Sequence, residues 1–315
     1  MNNSPFAIPL LHNTIGIMTP FLLAAIGGLF TELAGMLNIA LEGLMLIGAF
    51  FSVVFVAATG SLLLGILLGI LAALLMAYIF GAVSLYLKAN IFITGLATNL
   101  FASGITVVLA FQIFGNKGVV RFENLPKLPV LTAPAIQKIP VLGDIFFGHN
   151  VFVYLSWLVV VLAAIVIYRT PFGLRIRGTG LSPETVTSLG LKPRRYQLYG
   201  ILISGFTCGL AGALLTLNMG AFVPEITSGR GWIALVAIYL GNKNPYGILI
   251  ASLVFGFAES ISNFAQGAIN IPADFILAFP YILTVIAMIG FSIWKYYKKE
   301  RSEEHTSELQ SLLII

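Results

Sequence analysis

The chain has 315 residues, of which 58% are hydrophobic and only 9% are charged. Soluble domains carry roughly 25% charged residues, and a water-soluble fold could not hide this much apolar surface. The composition therefore predicts an all-α polytopic membrane protein. The formal net charge of +5 does not indicate nucleic acid as a partner. The basic residues lie mostly at the ends of apolar runs, where they set orientation in a lipid membrane.

Apolar runs of about 20 residues, the length that crosses a bilayer, divide the chain into eight predicted spans. They fall at residues 13–30, 36–57, 61–87, 91–113, 150–168, 197–218, 246–265 and 275–294. A shorter apolar piece, Trp232 to Leu240, is too brief to cross alone and is interpreted as a half-helix or part of a broken span. We expect eight or nine membrane elements in a single domain, residues 1–300.

The last residues differ abruptly in composition from the chain before them. RSEEHTSELQS, from Arg301 to Ser311, matches the in-frame translation of a common sequencing-library adapter. We therefore expect residues 301–315 to be a non-native tail, and His305 receives no role.

The most polar stretch between two apolar runs is Arg169–Gln197, which holds six basic residues against one acid, Glu184. Because lysine and arginine are concentrated in cytoplasmic loops, this loop is predicted to be cytoplasmic. Alternating the spans outward places the N-terminus and the long connection Gly115–Asn150 outside. The C-terminus falls inside, provided that the short piece 232–240 crosses and Lys243 lies on the cytoplasmic face.

A short helix is predicted inside that loop because both of its ends have capping residues. Ser182 can cap the first turn, Pro183 suits the first helical position, and Glu184 favours the positive end of the dipole. Gly190 supplies a left-handed stop. Such a short helix on a basic loop has few apolar neighbours to pack against. We therefore interpret it as an element that inserts into a partner protein. A solvated loop that only fixes topology is the alternative.

Several ionisable or amide side chains interrupt the apolar runs, where a charge costs about 2.5–3.5 kcal/mol on insertion scales. Their density predicts a helix broken near Gly35–Asn38. Glu259 and Asn263 share one helix face because they are four residues apart. Each such side chain either makes an interhelical hydrogen bond or lines a pathway. The residues are Glu32, Asn38, Glu42, Asn99, Arg230, Glu259 and Asn263.

The sequence has no G-x-x-x-x-G-K-[ST] phosphate loop, no H-E-x-x-H and no Cys/His cluster with metal spacing. The single cysteine, Cys208, lies in an apolar run and is interpreted as a packing residue. We therefore predict no enzyme activity, no metal and no cofactor. A secondary transporter that uses Glu32, Glu42 or Glu259 as a proton site remains a rival.

Three stretches resemble the permeases of bacterial ABC importers for branched-chain amino acids, ribose-type sugars and nucleosides. Residues 31–50 are similar to that family's G-E-R-x-G-x-x-N-[IL]-x-[LIV]-E-G stretch; the matching residues are Glu32, Gly35, Asn38, Glu42 and Gly43, whereas Thr31 and Leu33 depart. Phe172–Leu198 resembles G-x-x-x-R-A-x-G-x-N-P-x-A-A-x-x-x-G-[IV]; the matching residues are Gly173, Arg177, Gly180, Pro183 and Gly190, and Ser182 stands for Asn. Residues 227–247 resemble a third family segment, including Arg230.

The resemblance implies a membrane-spanning subunit that works with other chains. Such permeases pair with themselves or with a sister permease, bind two ATP-binding subunits, and receive substrate from an extracytoplasmic binding protein or lipoprotein. The implied location is the bacterial cytoplasmic membrane. The helix after Ser182 would be the coupling helix, flanked by Gly173, Gly180 and Gly190, with Arg177, Arg194 and Arg195 facing the ATPase or the lipid surface.

The sequences of residues 36–43 and 228–235 are most similar to those of the nucleoside and simple-sugar branch of that family. The expected cargo is therefore a nucleoside or simple sugar, with branched-chain amino acids as the alternative.

Overall fold

The computed structural model describes residues 7–131, 142–268, 278–279, 281–290 and 292–293. Helices dominate these residues, and strands are limited to one short pair. The elements in chain order are α1 Ala7–Leu33, α2 Leu41–Thr59, α3 Leu62–Leu85, α4 Ile91–Phe114, β1 Val120–Arg121, α5 Leu142–Phe146, α6 Val151–Arg169, α7 Pro171–Leu181, α8 Pro183–Ser188, α9 Pro193–Met219, β2 Ala221–Phe222, α10 Arg230–Leu240, α11 Pro245–Ala268 and α12 Tyr281–Gly290.

Seven of the described helices are long and apolar enough to cross a membrane, namely α1, α2, α3, α4, α6, α9 and α11. Two shorter apolar helices, α10 and α12, bring the membrane elements to nine among the described residues. The all-α polytopic class and the expected eight or nine elements are therefore confirmed. Part of the last predicted span, and the tail 301–315, lie outside the described residues.

The bundle is organised around α1 and α9. The middle of α1, from Phe21 to Ala25, is fully buried, and α9 packs against α1, α2 and α3. Small residues permit this close approach: a Cβ added to Gly48 would lie 2.6 Å from the Cα of Gly209. The hydroxyl of Thr216 in α9 donates to the carbonyl of Ala49 in α2 (2.9 Å). Backbone proximity of this kind is the usual basis of helix packing in lipid.

The chain between α1 and α2 is non-helical. Its contacts with α9 show how far into the bundle this segment extends. Gln197, near the start of α9, donates to the carbonyl of Ala34 (3.4 Å), whereas Asn38 donates to Ser204 (2.7 Å), seven residues farther along. Seven helical residues span about 10 Å. Therefore α2 begins well inside the bundle, and the predicted break near Gly35–Asn38 is confirmed.

A second interruption precedes α10. This helix has 11 residues, about 16 Å against the roughly 30 Å of a bilayer core. It starts at Arg230 and ends near Lys243, which pairs with Glu32 at the end of α1. The predicted half-helix is therefore confirmed, with two more residues at its start.

The two ends of the bundle differ. We call the end that carries α7 and α8 the basic end, and the end that carries β1, β2 and α5 the capped end. In the cap, Val120 pairs with Phe222 and Val130 pairs with Asn150, both antiparallel. The long connection Gly115–Asn150 thus contains one short helix, α5, and takes part in two short backbone pairings among its described residues.

The glycine contacts predict which substitutions the bundle tolerates. Leucine at Gly212 would meet the backbone of Met45 and Ala49, whereas a Cβ at Gly104 on α4 meets nothing within 4 Å. We expect Gly212→Leu to cost at least about 2 kcal/mol, because overpacking against backbone cannot relax through rotamers. Thermal unfolding in detergent checks this against Gly104→Leu, and equal midpoints for the two variants would refute it.

Candidate functional site

The short helix α8 has the caps that the sequence predicted. The hydroxyl of Ser182 accepts from the backbone N–H of Thr185 (3.3 Å), and Pro183 occupies the first helical position. At the other end Gly190 has φ +76°, and the N–H groups of Gly190 and Leu191 donate to the carbonyls of Thr187 and Val186. This pair of hydrogen bonds is a Schellman motif, which requires a left-handed residue at that position.

The surface around α8 is open. Val186 is the buried residue of the helix, and its acidic first-turn residue Glu184 is exposed. Leu181 and Leu189 on either side are 88% and 72% exposed. Arg194 and Arg195, in the first turn of α9, are exposed as well. The surroundings of α8 thus expose both apolar and cationic side chains.

One helix of this segment was not predicted. Residues 171–181 were interpreted as loop, but they form α7, whose first turn is capped by the Thr170 hydroxyl accepting from Gly173 N–H (3.2 Å). The pair Thr170–Pro171 is an N-cap followed by a first-position proline, so this signal was present in the sequence. Gly173 is required for packing, since a Cβ there would lie 2.5 Å from the carbonyl oxygen of Ile167.

The end of α7 touches the break between α1 and α2. A Cβ on Gly180 would lie 2.9 Å from the backbone nitrogen of Gly35, and a Cβ on Gly35 would lie 3.0 Å from the Cα of Gly180. Nearby, the guanidinium of Arg177 lies over the ring of Tyr168 (5.5 Å), and its Nε is buried with no hydrogen-bond partner among the described residues. The segment carrying α8 is thus in backbone contact with the membrane bundle.

Deep in the bundle, Glu42 joins the two interrupted helices. Its carboxylate lies in the first turn of α2 and accepts hydrogen bonds from the N–H groups of Gly229 (2.7 Å) and Gly231 (2.6 Å) at the start of α10. A carboxylate at a helix N-terminus satisfies orphan amides and the helix dipole. Sequence reasoning singled out Glu42 but missed this partner, which lies almost 190 residues away.

An ion pair lies beside this cap. The Nη2 atom of Arg230 is 2.5 Å from Oε1 of Glu259 on α11, and both side chains are mostly buried. Nη1 of Arg230 also donates to the carbonyl of Ile226 (3.1 Å). Asn263, one turn farther along α11, is exposed and does not join this cluster.

Two of the three asparagines that sequence analysis selected, Asn38 and Asn99, satisfy backbone groups around the break. Asn99 on α4 accepts from Gly43 N–H (2.8 Å) and donates to the carbonyl of Ile39 (3.0 Å). Asn38 donates to Ser204 and accepts from Ala40 N–H (3.0 Å). Both side chains thus join the break to a neighbouring helix through hydrogen bonds.

Glu32 forms a separate cluster at the basic end. Its carboxylate pairs with Nζ of Lys243 (2.7 Å) and accepts from the hydroxyl of Tyr239 (3.1 Å). Lys243 lies in the turn between α10 and α11, so this pair joins the end of α1 to the end of the half-helix.

A cavity of about 710 Å³ opens beneath the cap. It is bounded by the first half of α1, the segment after β1, residues 148–150 and the end of α9, and Arg230 also lines it. Among its residues, His12 and His149 stack with ring centroids 3.9 Å apart. Burial is the main cause that lowers the pKa of His149, so its ring is neutral near pH 7 and stacks without charge repulsion.

The sequence was compared with known protein families and proteins. Residues 10–288 match the family model described as the branched-chain amino acid transport system permease component. The chain belongs to this permease family.

Three relatives extend the comparison. The guanosine ABC transporter permease protein NupQ of Bacillus subtilis is 37% identical over 88% of this chain and 90% of its own length. The nucleoside ABC transporter permease protein NupC of Lactococcus lactis is 33% identical over 89% of this chain and 90% of its own length. The putative glucose ABC transporter permease protein TsgC13 of Haloferax volcanii is 32% identical over 83% of this chain and 79% of its own length.

Membership confirms the resemblance seen in the sequence. The chain is a multi-pass membrane permease subunit of an ABC importer. In this permease most of the polar residues selected from the sequence lie either at the basic end or in the middle of the bundle. The segment around α8 lies at the basic end with Glu32, whereas Glu42, Arg230 and Glu259 meet deep inside.

The Glu42 cap leads to a stability prediction. In Glu42→Gln one acceptor oxygen becomes an amide N–H₂ group that faces another donor, so an N–H at the start of α10 loses its partner. We expect a loss of about 1–3 kcal/mol. The matched control is Glu225→Gln, an exposed residue on the adjacent loop whose carboxylate accepts from Ser103. Unfolding midpoints in detergent measure both, and an equal effect would contradict the cap.

Proposed function

We propose that this permease imports nucleosides, with purine nucleosides such as guanosine as the first candidates. The observation that carries the proposal is the 37% identity to a guanosine permease protein over 88% of the chain. The nucleoside permease protein of Lactococcus lactis supports the same cargo class. A simple sugar is the second candidate, because the putative glucose permease protein is nearly as similar.

The membrane is the bacterial cytoplasmic membrane, with the basic end facing the cytoplasm. This orientation follows from the concentration of lysine and arginine at that end. The basic end holds Lys88, Lys243 and six further basic residues on and beside α7 and α8. These six are Arg169, Arg175, Arg177, Lys192, Arg194 and Arg195. The start of α1 and the cap then face outward, which agrees with an outer N-terminus.

Two ATP-binding subunits dock on the basic end, with α8 as the coupling helix. The exposed leucines that flank it would enter a groove of the ATPase, and Arg194 and Arg195 would meet acidic side chains there. Because α7 joins α8 to α6 and also contacts the α1–α2 break, a displacement of α8 would reach the bundle through backbone contacts rather than through flexible side chains.

The same displacement would reach the half-helix. Gly180 contacts Gly35, and Glu32, three residues earlier, holds Lys243 in the turn after α10. Movement of the α1–α2 junction would therefore pull on α10 as well. A second permease, identical or homologous, would complete the pathway, and an extracytoplasmic binding protein or lipoprotein would deliver cargo to the capped end.

Uptake by the complete transporter tests the cargo. Cells that lack nucleoside uptake and express the whole complex should accumulate labelled guanosine and uridine, and should not accumulate labelled leucine. The double variant Pro183→Gly with Gly190→Val, which removes both ends of α8, is the inactive control. Accumulation of leucine alone would contradict the proposal and favour the branched-chain amino acid alternative.

Charge reversal tests the coupling surface. Arg194→Glu with Arg195→Glu should lower guanosine uptake at least about tenfold, because each residue would then repel an acidic partner, and about 1.4 kcal/mol suffices for that factor. Membrane insertion and the unfolding midpoint should stay unchanged, since both side chains are exposed. Lys117→Glu, an exposed basic residue at the capped end, is the matched control. Normal uptake by the double variant would exclude this surface.

A further inference from the structure

The cavity beneath the cap has the size and depth of a ligand site. Its volume of about 710 Å³ lies within the roughly 300–1,000 Å³ of small-molecule pockets. Along α1 it extends from His12 to Pro20, eight residues or about 12 Å of helix. It also reaches Arg230, the first residue of α10. The cavity therefore leads from the capped end toward the cluster around Glu42.

The wall of this cavity includes a backbone acceptor without its helical donor. Pro20 lies inside α1 and has no N–H, so the carbonyl of Gly16 loses its hydrogen bond from the residue four positions later. Both residues line the cavity, and a Cβ built on Gly16 meets nothing within 4 Å. A polar acceptor thus lies beside open space in a helix that is otherwise closely packed.

A second acceptor is also without a partner. The Oδ1 atom of Asn150 is buried and has no hydrogen-bond partner among the described residues, and Asn150 lines the same cavity. Asn13 and Asn218 contribute exposed amides from α1 and α9. Amides both donate and accept, as the edges of a nucleobase and the hydroxyls of a ribose require.

The charges of the cavity favour a neutral ligand. Arg230 is paired with Glu259, and Glu123 and Lys127, which have opposite charges, lie four residues apart on one segment of the cap. In the described lining the two cations, Lys127 and Arg230, are offset by the acids Glu123 and Glu259, so the phosphate of a nucleotide would leave its charge uncompensated.

The stacked pair of His12 and His149 adds a planar surface. Each ring is fixed by a backbone carbonyl of α5: His12 Nδ1 by Asp144 (2.8 Å) and His149 Nε2 by Ile145 (2.9 Å). Flat rings held in this way favour planar ligands through stacking. We propose that this cavity, between α1, α9 and the cap, is an entry subsite within one permease chain that binds a neutral nucleoside before it crosses the bundle. This inference rests on the proposed nucleoside import.

Filling the cavity tests the inference. Gly16→Leu places an isobutyl group into the open space, so the fold should be preserved while guanosine loses room. We expect guanosine uptake by the complete transporter to fall at least about tenfold, a difference of about 1.4 kcal/mol. Gly104→Leu, at an equally open position on α4 away from the cavity, should retain normal uptake.

Labelling of a single cysteine gives a readout that does not depend on transport. Cys208 is the one cysteine in the sequence and is fully buried. In Gly16→Cys, a thiol reagent would therefore reach the introduced cysteine and not Cys208. A membrane-impermeant thiol reagent added from outside should label it, and guanosine should slow the labelling whereas leucine should not. In Lys117→Cys, on the exposed cap, guanosine should leave the labelling rate unchanged.

The outcomes separate the two proposals. If the wild-type complex takes up no nucleoside, nucleoside import fails and the entry subsite fails with it. If the wild type imports guanosine but Gly16→Leu does so equally well, or if guanosine does not slow labelling of Gly16→Cys, the entry subsite alone is overturned. Loss of uptake in Gly16→Leu, with normal uptake in Gly104→Leu and protection by guanosine, supports it.

Discussion

The carboxylate of Glu42 is the interaction on which the interior of this permease depends. It lies in the first turn of α2 and accepts from two N–H groups at the start of α10, so one anion serves the N-termini of two interrupted helices. The ion pair of Arg230 with Glu259 lies beside it. Two carboxylates and one guanidinium leave one negative charge, and two helix N-termini supply roughly +0.5 each. The cluster is therefore close to neutral, which is how ionisable groups are tolerated deep in a membrane protein.

The interruptions of α1–α2 and of the segment before α10 link the ends of the molecule to this cluster through direct contacts. At the basic end, Gly180 of α7 and Gly35 of the break pack backbone against backbone. Glu32 then joins the end of α1 to the turn after α10 through Lys243. At the capped end, the cavity extends to Arg230. The first turns of α2 and α10 thus both lie in the central cluster. The α1–α2 junction and the other end of α10 lie near the segment that carries α8.

The parts of this structure that were predictable from the sequence are the parts with local causes. Ser182, Pro183 and Gly190 define α8 because capping depends on residues a few positions apart. The half-helix and the break follow from apolar length and polar density. In contrast, α7 was missed because its glycines and arginines suggest a loop, whereas Gly173 and Gly180 are there to let backbones approach. The partner of Glu42 and the cavity were not predictable, since they join segments far apart in the chain.

The hydrogen bonds and ion pairs of Glu32, Glu42 and Glu259 also bear on the energy source of transport. A proton-coupled transporter needs a carboxyl group that can bind and release a proton without losing its surroundings. Glu42 uses both oxygens as acceptors for backbone amides, and protonating one of them would turn an acceptor toward a donor. Glu259 and Glu32 are each held by a cation, so protonation would leave Arg230 or Lys243 without its counter-ion. These contacts describe acids that hold helices together, which favours an energy source outside the bundle. The exposed surface of α8, joined to the bundle by backbone contacts, is where such work could enter.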